Sequence, residues 1–302
     1  MVENYEMLEY IVQKGKELGY VFSVTSNGYD LDKYMDYLEE NSKIFSFQIT
    51  IDGVEDIHNE RKPHYRNKDS FAKITSNVDS LLKLGISVSI RINTDPYTME
   101  RADELLDYFK EKGWLQYQNF KAYYALLRKE VPIKGENGEY SKEMFTQSSF
   151  FCTYLQKGLE KQGCGKVMCQ DYSVRSVLTN MLLGKSTPYK SHFCGAQSGM
   201  IIFDPLGDIY SCWDVVGQRE YRVGHYMPDF VLEDTFADKW FDSRVSKFSC
   251  IKCKYVLFCG GGCLANAIRT TGNLQSGTCN DYPRLFNAEI KYIYNEKNKE
   301  RY

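Results

Sequence analysis

Along the first 130 residues, apolar positions alternate between helical and strand spacing. Met7, Leu8, Ile11, Val12 and Leu18 recur at helical intervals, and Val21-Phe-Ser-Val-Thr25 then predicts a buried strand that stops at Asn27-Gly28. Asp30 is placed to cap a second helix with Leu31, Tyr34, Met35 and Leu38 on one face. A β-branched and aromatic strand follows from Ile44 to Ile51 and stops at Asp52-Gly53. A third helix opens at Asp69 or Ser70, carries Phe71, Ile74, Val78, Leu81 and Leu82, closes at Gly85 and leads into a strand from Ile86 to Ile92. A fourth, with Ala102, Leu105, Leu106 and Phe109, ends near Gly113 before a strand around Phe120 to Leu126. This alternation predicts an α/β fold with a parallel sheet and right-handed crossovers, either an open sheet or part of a (β/α) barrel. Both place chemistry at the carboxyl ends of strands. Those ends are Thr25-Ser26-Asn27-Gly28, Thr50-Ile51-Asp52-Gly53 and Arg91-Ile92-Asn93-Thr94-Asp95, although Asn-Gly and Asp-Gly also serve as ordinary turns.

Beyond residue 130 the pattern changes. A polar loop is expected over 131–138, and a helix over 143–162 with Phe145, Phe150, Phe151, Tyr154 and Leu155 facing inward and Cys152 in that aromatic face. Cys164 and Cys169 then fall in a loop, before another helix over 172–183. Met200 to Phe203, the turn Asp204-Pro-Leu-Gly207-Asp208, and Ile209 to Cys212 predict a β-hairpin. A helix is expected near Phe230 to Phe241, and a closing amphipathic helix runs from about Pro283 toward a charged tail over 297–302. The chain so divides into a helix-strand region over 1–130, a helical bridging segment over 131–190 and a cysteine-rich region over 191–302.

With 38 basic against 40 acidic residues, a net charge of −2 gives no whole-chain reason to bind nucleic acid or an anionic membrane. No apolar run is long enough to span a bilayer, and Glu3, Glu6 and Glu9 stand where an export signal would be basic and then apolar. A cytoplasmic protein is expected. Ten cysteines change the picture more, because seven of them lie between 194 and 279, and in a reducing compartment they read as metal or redox ligands before disulfides. Cys250-x2-Cys253-x5-Cys259-x3-Cys263 sets four thiols close together, with Gly260, Gly261 and Gly262 letting the backbone approach a metal or cluster without a Cβ. The full series is Cys194-x12-Gly207-x4-Cys212, then that group, then Cys279. Seven thiols exceed the need of one four-coordinate ion, and two four-ligand sites would recruit one further ligand or leave one iron position open. The alternative is a zinc knuckle of Cys250, Cys253, Cys259 and Cys263 alone.

This series closely resembles the signature of the SPASM domain, the C-terminal extension of a large group of radical S-adenosylmethionine enzymes. Upstream, Thr25-Ser26-Asn27-Gly28, then Gln48-Ile-Thr-Ile-Asp52-Gly53 with His58 and Arg61, then Arg91-Ile-Asn93, are similar to the run of barrel strands in such enzymes. The resemblance covers nearly the whole chain and implies a partial (β/α) radical-SAM-type barrel followed by a small SPASM domain with a β-hairpin. It implies cofactor-binding roles for Ser26, Asn27, Thr50, Asp52, Arg61, Arg91 and Asn93. It also implies two auxiliary [4Fe-4S] clusters. Cys194, Cys212 and Cys263 would hold the first, completed by Cys169 or Cys164 or left open for substrate, and Cys250, Cys253, Cys259 and Cys279 would hold the second.

The chain departs from the family in having neither a Cys-x3-Cys-x2-Cys loop nor a Gly-Gly-Glu stretch. It resembles such an enzyme without its first two strands: a truncated form, half of a split enzyme or a relative kept for binding. Alone, it is expected not to cleave S-adenosylmethionine. A full-length parent would use S-adenosylmethionine to modify a ribosomally made peptide or protein, by thioether or other crosslink formation. Its expected partners are a cysteine-containing peptide or protein substrate and a reductant such as ferredoxin or flavodoxin, with neither nucleic acid nor a membrane. The sulfatase-maturating branch is expected to carry an acidic base directly after the hairpin cysteine. Here Trp213 intervenes and Asp214 is the candidate catalytic carboxylate, which looks more like the peptide-crosslinking branch. The plain structural readings are Trp213 as a cover over a cluster, Asp214 as a surface carboxylate, and His58 with Arg61 as a loop salt network. A non-catalytic iron-sulfur or zinc binding module is the alternative from another class.

Overall fold

The computed structural model describes residues 5–127, 145–170, 173–187, 189–234 and 236–299; the loop expected over 131–138 lies outside them. The chain divides into two compact units near residue 170, with 146–148 falling to the second. The segment expected to bridge is therefore shared out, 149–170 going with the first unit and the residues after 170 with the second.

In the first unit α1 (Tyr5–Glu17), β1 (Phe22–Ser26), α2 (Met35–Glu40), β2 (Phe45–Thr50), α3 (Glu55–Arg61), α4 (Phe71–Lys83) and β3 (Ser87–Thr94) follow one another. Then come α5 (Pro96–Glu100), α6 (Ala102–Glu111), β4 (Phe120–Leu126), α7 (Gln147–Gln156), α8 (Leu159–Gln162) and β5 (Val167–Cys169). The five strands pair in chain order, all parallel. Sequential parallel pairing with right-handed connections puts the helices on one side of a sheet. The strands are built for that, because residues of alternate parity face opposite ways. Phe45, Phe47 and Ile49, Val88, Ile90 and Ile92, and Phe120, Ala122 and Tyr124 are buried, and so are Ile74, Val78, Leu81, Leu105, Leu106 and Phe109 of α4 and α6.

Five features differ from the sequence expectation. β1, expected as a buried strand, has no buried residue, because it stands at one end of the strand order. The second helix starts as a 3-10 turn, Leu31–Tyr34, and Asp30 makes an ion pair with Lys33 at 2.7 Å in place of a cap. α3 has only Ile57 and His58 buried, so it offers no apolar stripe to read. The helix over 143–162 is interrupted at Gly158, whose φ is +65°, and Cys169 lies in β5 instead of a loop. Three residues are too few for a periodic pattern, and β5 owes its existence to pairing with β4 from Ala122↔Val167 to Tyr124↔Cys169.

The second unit contains α9 (Val174–Leu182) and an antiparallel sheet of β6 (Ile202–Phe203), β7 (Asp208–Tyr210), β8 (Gly224–His225) and β9 (Val231–Leu232). α10 (Val256–Cys259), α11 (Leu264–Thr271) and α12 (Tyr282–Lys299) follow. The expected hairpin is β6–β7. The helix expected from Phe230 is a correction: Val231 and Leu232 pair with β8, and only Phe236–Phe241 coils, as a π-helical turn that helps bring Trp240 into the core. That core also holds Ile202, Ile209, Tyr210, Val223, Phe248 and Leu264, with Cys194, Cys212 and Cys250 packed against it.

Candidate functional site

The face of the first unit's sheet opposite its buried one is polar. Cross-strand register aligns Ser23 with Ser46, Thr25 with Gln48, Gln48 with Ser89, Thr50 with Arg91, and Arg91 with Tyr123. All are half-buried or exposed, in contrast to the opposite face. The Tyr123 hydroxyl donates to Gln48 Oε1 at 2.7 Å, and burial raises the Tyr123 pKa while the nearby Arg91 charge opposes the rise.

At the carboxyl ends of β2 and β3, four of the expected cofactor-binding residues meet in one network. One Asp52 carboxylate oxygen accepts from the Asn93 backbone N–H at 3.2 Å and from Asn93 Nδ2 at 2.9 Å, and the other lies 3.7 Å from Lys62 Nζ. Arg91 Nε donates to Asn93 Oδ1 at 3.0 Å. Arg61 donates to the Asn93 carbonyl at 3.1 Å and to Asp95 Oδ2 at 2.5 Å. Asp95 also caps α5 by accepting from the Thr98 N–H at 2.8 Å. Thr50 adjoins this network through its register partner Arg91. Ser26 and Asn27 are used differently: Ser26 Oγ accepts from the Gly28 N–H and Asn27 Oδ1 from the Tyr29 N–H, closing the turn after β1.

His58, which belongs to the stretch that resembles the barrel strands and whose plain reading is a loop salt network, is fully buried. Its Nδ1 accepts from the Asp52 backbone N–H at 3.1 Å, which puts the neutral ring's proton on Nε2. Burial holds its pKa down at about 4, against an ordinary 6.5, with Asp52 opposing. Between those values the unfolded chain binds the extra proton, so stability is complete above pH 6.5 and falls as pH drops toward 4. The full loss is about 3 kcal/mol. Melting temperatures of the wild type and His58→Gln, followed from pH 7 to 4.5, should show the wild type losing more; parallel curves would refute the assignment.

In the second unit the cysteines gather in two groups. Cys250, Cys253, Cys259 and Cys279 line one pocket together with Tyr255, Gly261 and Thr278. Burial raises the Cys250 and Cys259 thiols, and the thiols of this same group add to the rise. Cys212 is pushed up to about 11 by burial, opposed by the Asp214 backbone N–H, and its thiol neighbours are Cys263 and Cys194. Gly260, Gly261 and Gly262, at φ of +75°, +87° and +84°, carry the chain from one group to the other. The motif glycine Gly207 sits at φ +99° in a turn held by Asp204 Oδ1, which accepts from the Leu206 and Asp208 N–H groups.

The set required by a zinc knuckle is not gathered, since Cys263 does not line the pocket of Cys250, Cys253 and Cys259. Among the described residues, no three His, Cys, Asp or Glu side chains are drawn in tightly enough to hold a metal ion. An all-sulfur donor set around a space, with Gly277 leaving out a Cβ atom beside the Cys250 sulfur, fits an iron-sulfur cluster. Cys169 is buried at the end of β5 in the first unit, and Cys164 is exposed. Trp213 is 70% exposed, and Asp214 lies 3.8 Å from Arg269. Gln48, Ser89 and Tyr123 stand on the polar face of the first unit's sheet but were not among the expected cofactor-binding residues. The alternation Ser-Phe-Ser-Phe-Gln-Ile-Thr in β2, matched by Ser-Val-Ser-Ile-Arg-Ile-Asn in β3, could have found them.

No protein-family model matches the chain. It is 22% identical over 285 residues to the serine-type anaerobic sulfatase-maturating enzyme of Bacteroides thetaiotaomicron, covering 87% of this chain and 66% of that protein. It is 24% identical over 273 residues to the cysteine-type anaerobic sulfatase-maturating enzyme of Clostridium perfringens, covering 87% and 70%. The chain thus spans about two thirds of the length of these relatives. Among solved structures it is similar to native anSMEcpe with bound AdoMet, with a TM-score of 0.67, 19% identity, and 98% of this chain and 80% of that one covered. SuiB of Streptococcus suis bound to S-adenosylmethionine gives 0.61, at 13% identity over 88% and 60%. The chain has the α/β fold of these radical S-adenosylmethionine enzymes, with its parallel five-stranded sheet, and the sequence similarity supports that family. No helix among the described residues is long and apolar enough to cross a membrane.

Proposed function

We propose that the chain is part of a radical S-adenosylmethionine maturase acting on a peptide or protein, with two auxiliary [4Fe-4S] clusters in its second unit. The observation that carries this reading is the grouping of seven cysteines into Cys194, Cys212 and Cys263 on one hand and Cys250, Cys253, Cys259 and Cys279 on the other. When bound, the clusters and S-adenosylmethionine supply one-electron chemistry, and the protein supplies placement and exclusion of side reactions. On this reading Asp52, Arg61, Arg91 and Asn93 form a rigid polar rim for the cofactor at the strand ends, and Gln48 and Tyr123 continue it across the sheet. The 302 residues hold no Cys-x3-Cys-x2-Cys motif, so the thiols for the cleaving cluster come from outside them, from the same or a partner polypeptide. A ferredoxin or flavodoxin would supply electrons.

Two substrate classes stand. Relatives named as sulfatase-maturating enzymes favour a sulfatase segment. The displacement of the carboxylate to Asp214 favours crosslinking of a cysteine-containing peptide, and the likeness to SuiB solved with its precursor peptide SuiA supports a peptide substrate. Anaerobic purification followed by iron and sulfide analysis tests the cluster reading, with about eight irons per chain and matching sulfide expected. One zinc and no sulfide would sink it in favour of a non-catalytic zinc module.

A further inference from the structure

Gly277 stands two residues before Cys279, and a Cβ built on it would lie 2.6 Å from Cys250 Sγ, 3.3 Å from Phe248 Cβ and 3.4 Å from the Gly261 carbonyl oxygen. Its φ lies outside the left-handed region, in contrast to Gly260, Gly261 and Gly262, so the backbone there would accept alanine. What demands glycine is the sulfur of Cys250. The segment around Gly277 is tied in place, since the Thr278 N–H donates to the Gly261 carbonyl at 2.9 Å and the Thr278 hydroxyl to the Cys263 carbonyl at 3.2 Å. A methyl group at 277 would therefore displace the thiol before it displaced the chain, because Cys250 Sγ is the free end of a rotatable side chain.

We infer that Gly277 is a positioning residue for the cluster site: its missing Cβ keeps Cys250 Sγ turned into the pocket shared with Cys253, Cys259 and Cys279, and so decides whether that set takes up iron. This rests on the cluster reading of the pocket. The experiment compares the wild type with Gly277→Ala, Cys250→Ala, the double variant, and Gly195→Ala as control. Gly195 flanks Cys194, but its added Cβ would meet only Met200, at an ordinary 3.5 Å.

After anaerobic reconstitution with ferrous iron and sulfide, Gly277→Ala should hold roughly half the iron and sulfide of the wild type, and Gly195→Ala the full amount. In the Cys250→Ala background, Gly277→Ala should cause no further loss. Without reconstitution, Gly277→Ala should change the alkylation rate of Cys250 severalfold and leave that of Cys194 unchanged. Full loading of Gly277→Ala, or a further loss in the double variant, overturns the inference. If the wild type itself takes up neither iron nor sulfide, the cluster reading fails, and an unchanged Cys250 alkylation rate separately overturns the role of Gly277. If Gly277→Ala melts far below the wild type, the double variant should melt where Cys250→Ala does; failure to do so also overturns it.

Discussion

Cys253→Ala should lose roughly half of the protein's iron, all of it from one cluster, and Cys263→Ala should lose a similar amount from the other. The reason is geometric. Cys253 lines the pocket of Cys250, Cys259 and Cys279, whereas Cys263 stands beside Cys212 with Cys194. The two lie ten positions apart in sequence, yet three glycines turn the chain between them. Electron paramagnetic resonance of each reduced variant distinguishes the surviving cluster. Identical spectra from the two, or complete loss of iron from both, would show that the thiols do not divide in this way. Removing a thiol from a cluster of four leaves an iron without its protein ligand, which is why the loss should be near total at one site and small at the other.

Gly262→Ala should be the most damaging single methyl in the second unit. Its Cβ would lie 2.0 Å from the Thr278 carbonyl oxygen, a backbone atom that cannot swing aside, and the residue sits at φ +84°. The combined clash and strain should cost on the order of 3 kcal/mol or more, and iron uptake should fall with it. Gly272→Ala isolates the backbone contribution, because Gly272 has φ +70° and nothing within 4 Å of an added Cβ. It should cost about 1 kcal/mol. Melting temperatures of the two variants decide the matter. Equal shifts would mean that the close approach of Thr278 does not constrain the glycine loop.

The long helices and strands of the first unit were legible because each carries a full apolar period. β2 and β3 show strict alternation, and α4 repeats Phe71, Ile74, Val78 and Leu81 at helical intervals. Elements set by their neighbours were not legible. β5 is three residues held by β4, β8 and β9 are two residues each, and α3 buries only Ile57 and His58. The strand-end residues were found by position in the fold, yet the sequence could not tell which would meet. Asp52, Arg61, Arg91 and Asn93 join through contacts up to 41 residues apart, while Ser26 and Asn27 turn back on their own loop. Spacing marked the seven cysteines strongly. Gly277 lies between no two cysteines of the dense group and has no local pattern, so only the approach of Cys250 Sγ reveals its part.

The burial that raises the Cys212, Cys250 and Cys259 thiols bears on the life of the protein before any iron arrives. Oxidants attack the thiolate, and a thiol held at about 11 is ionised in only about one molecule in ten thousand at pH 7. The Cys212 thiol is thus slow to be oxidised by peroxide while the chain waits to be loaded. Cluster ligands bind as thiolates, so loading releases protons and is favoured as pH rises, the more so for thiols whose ionisation burial opposes.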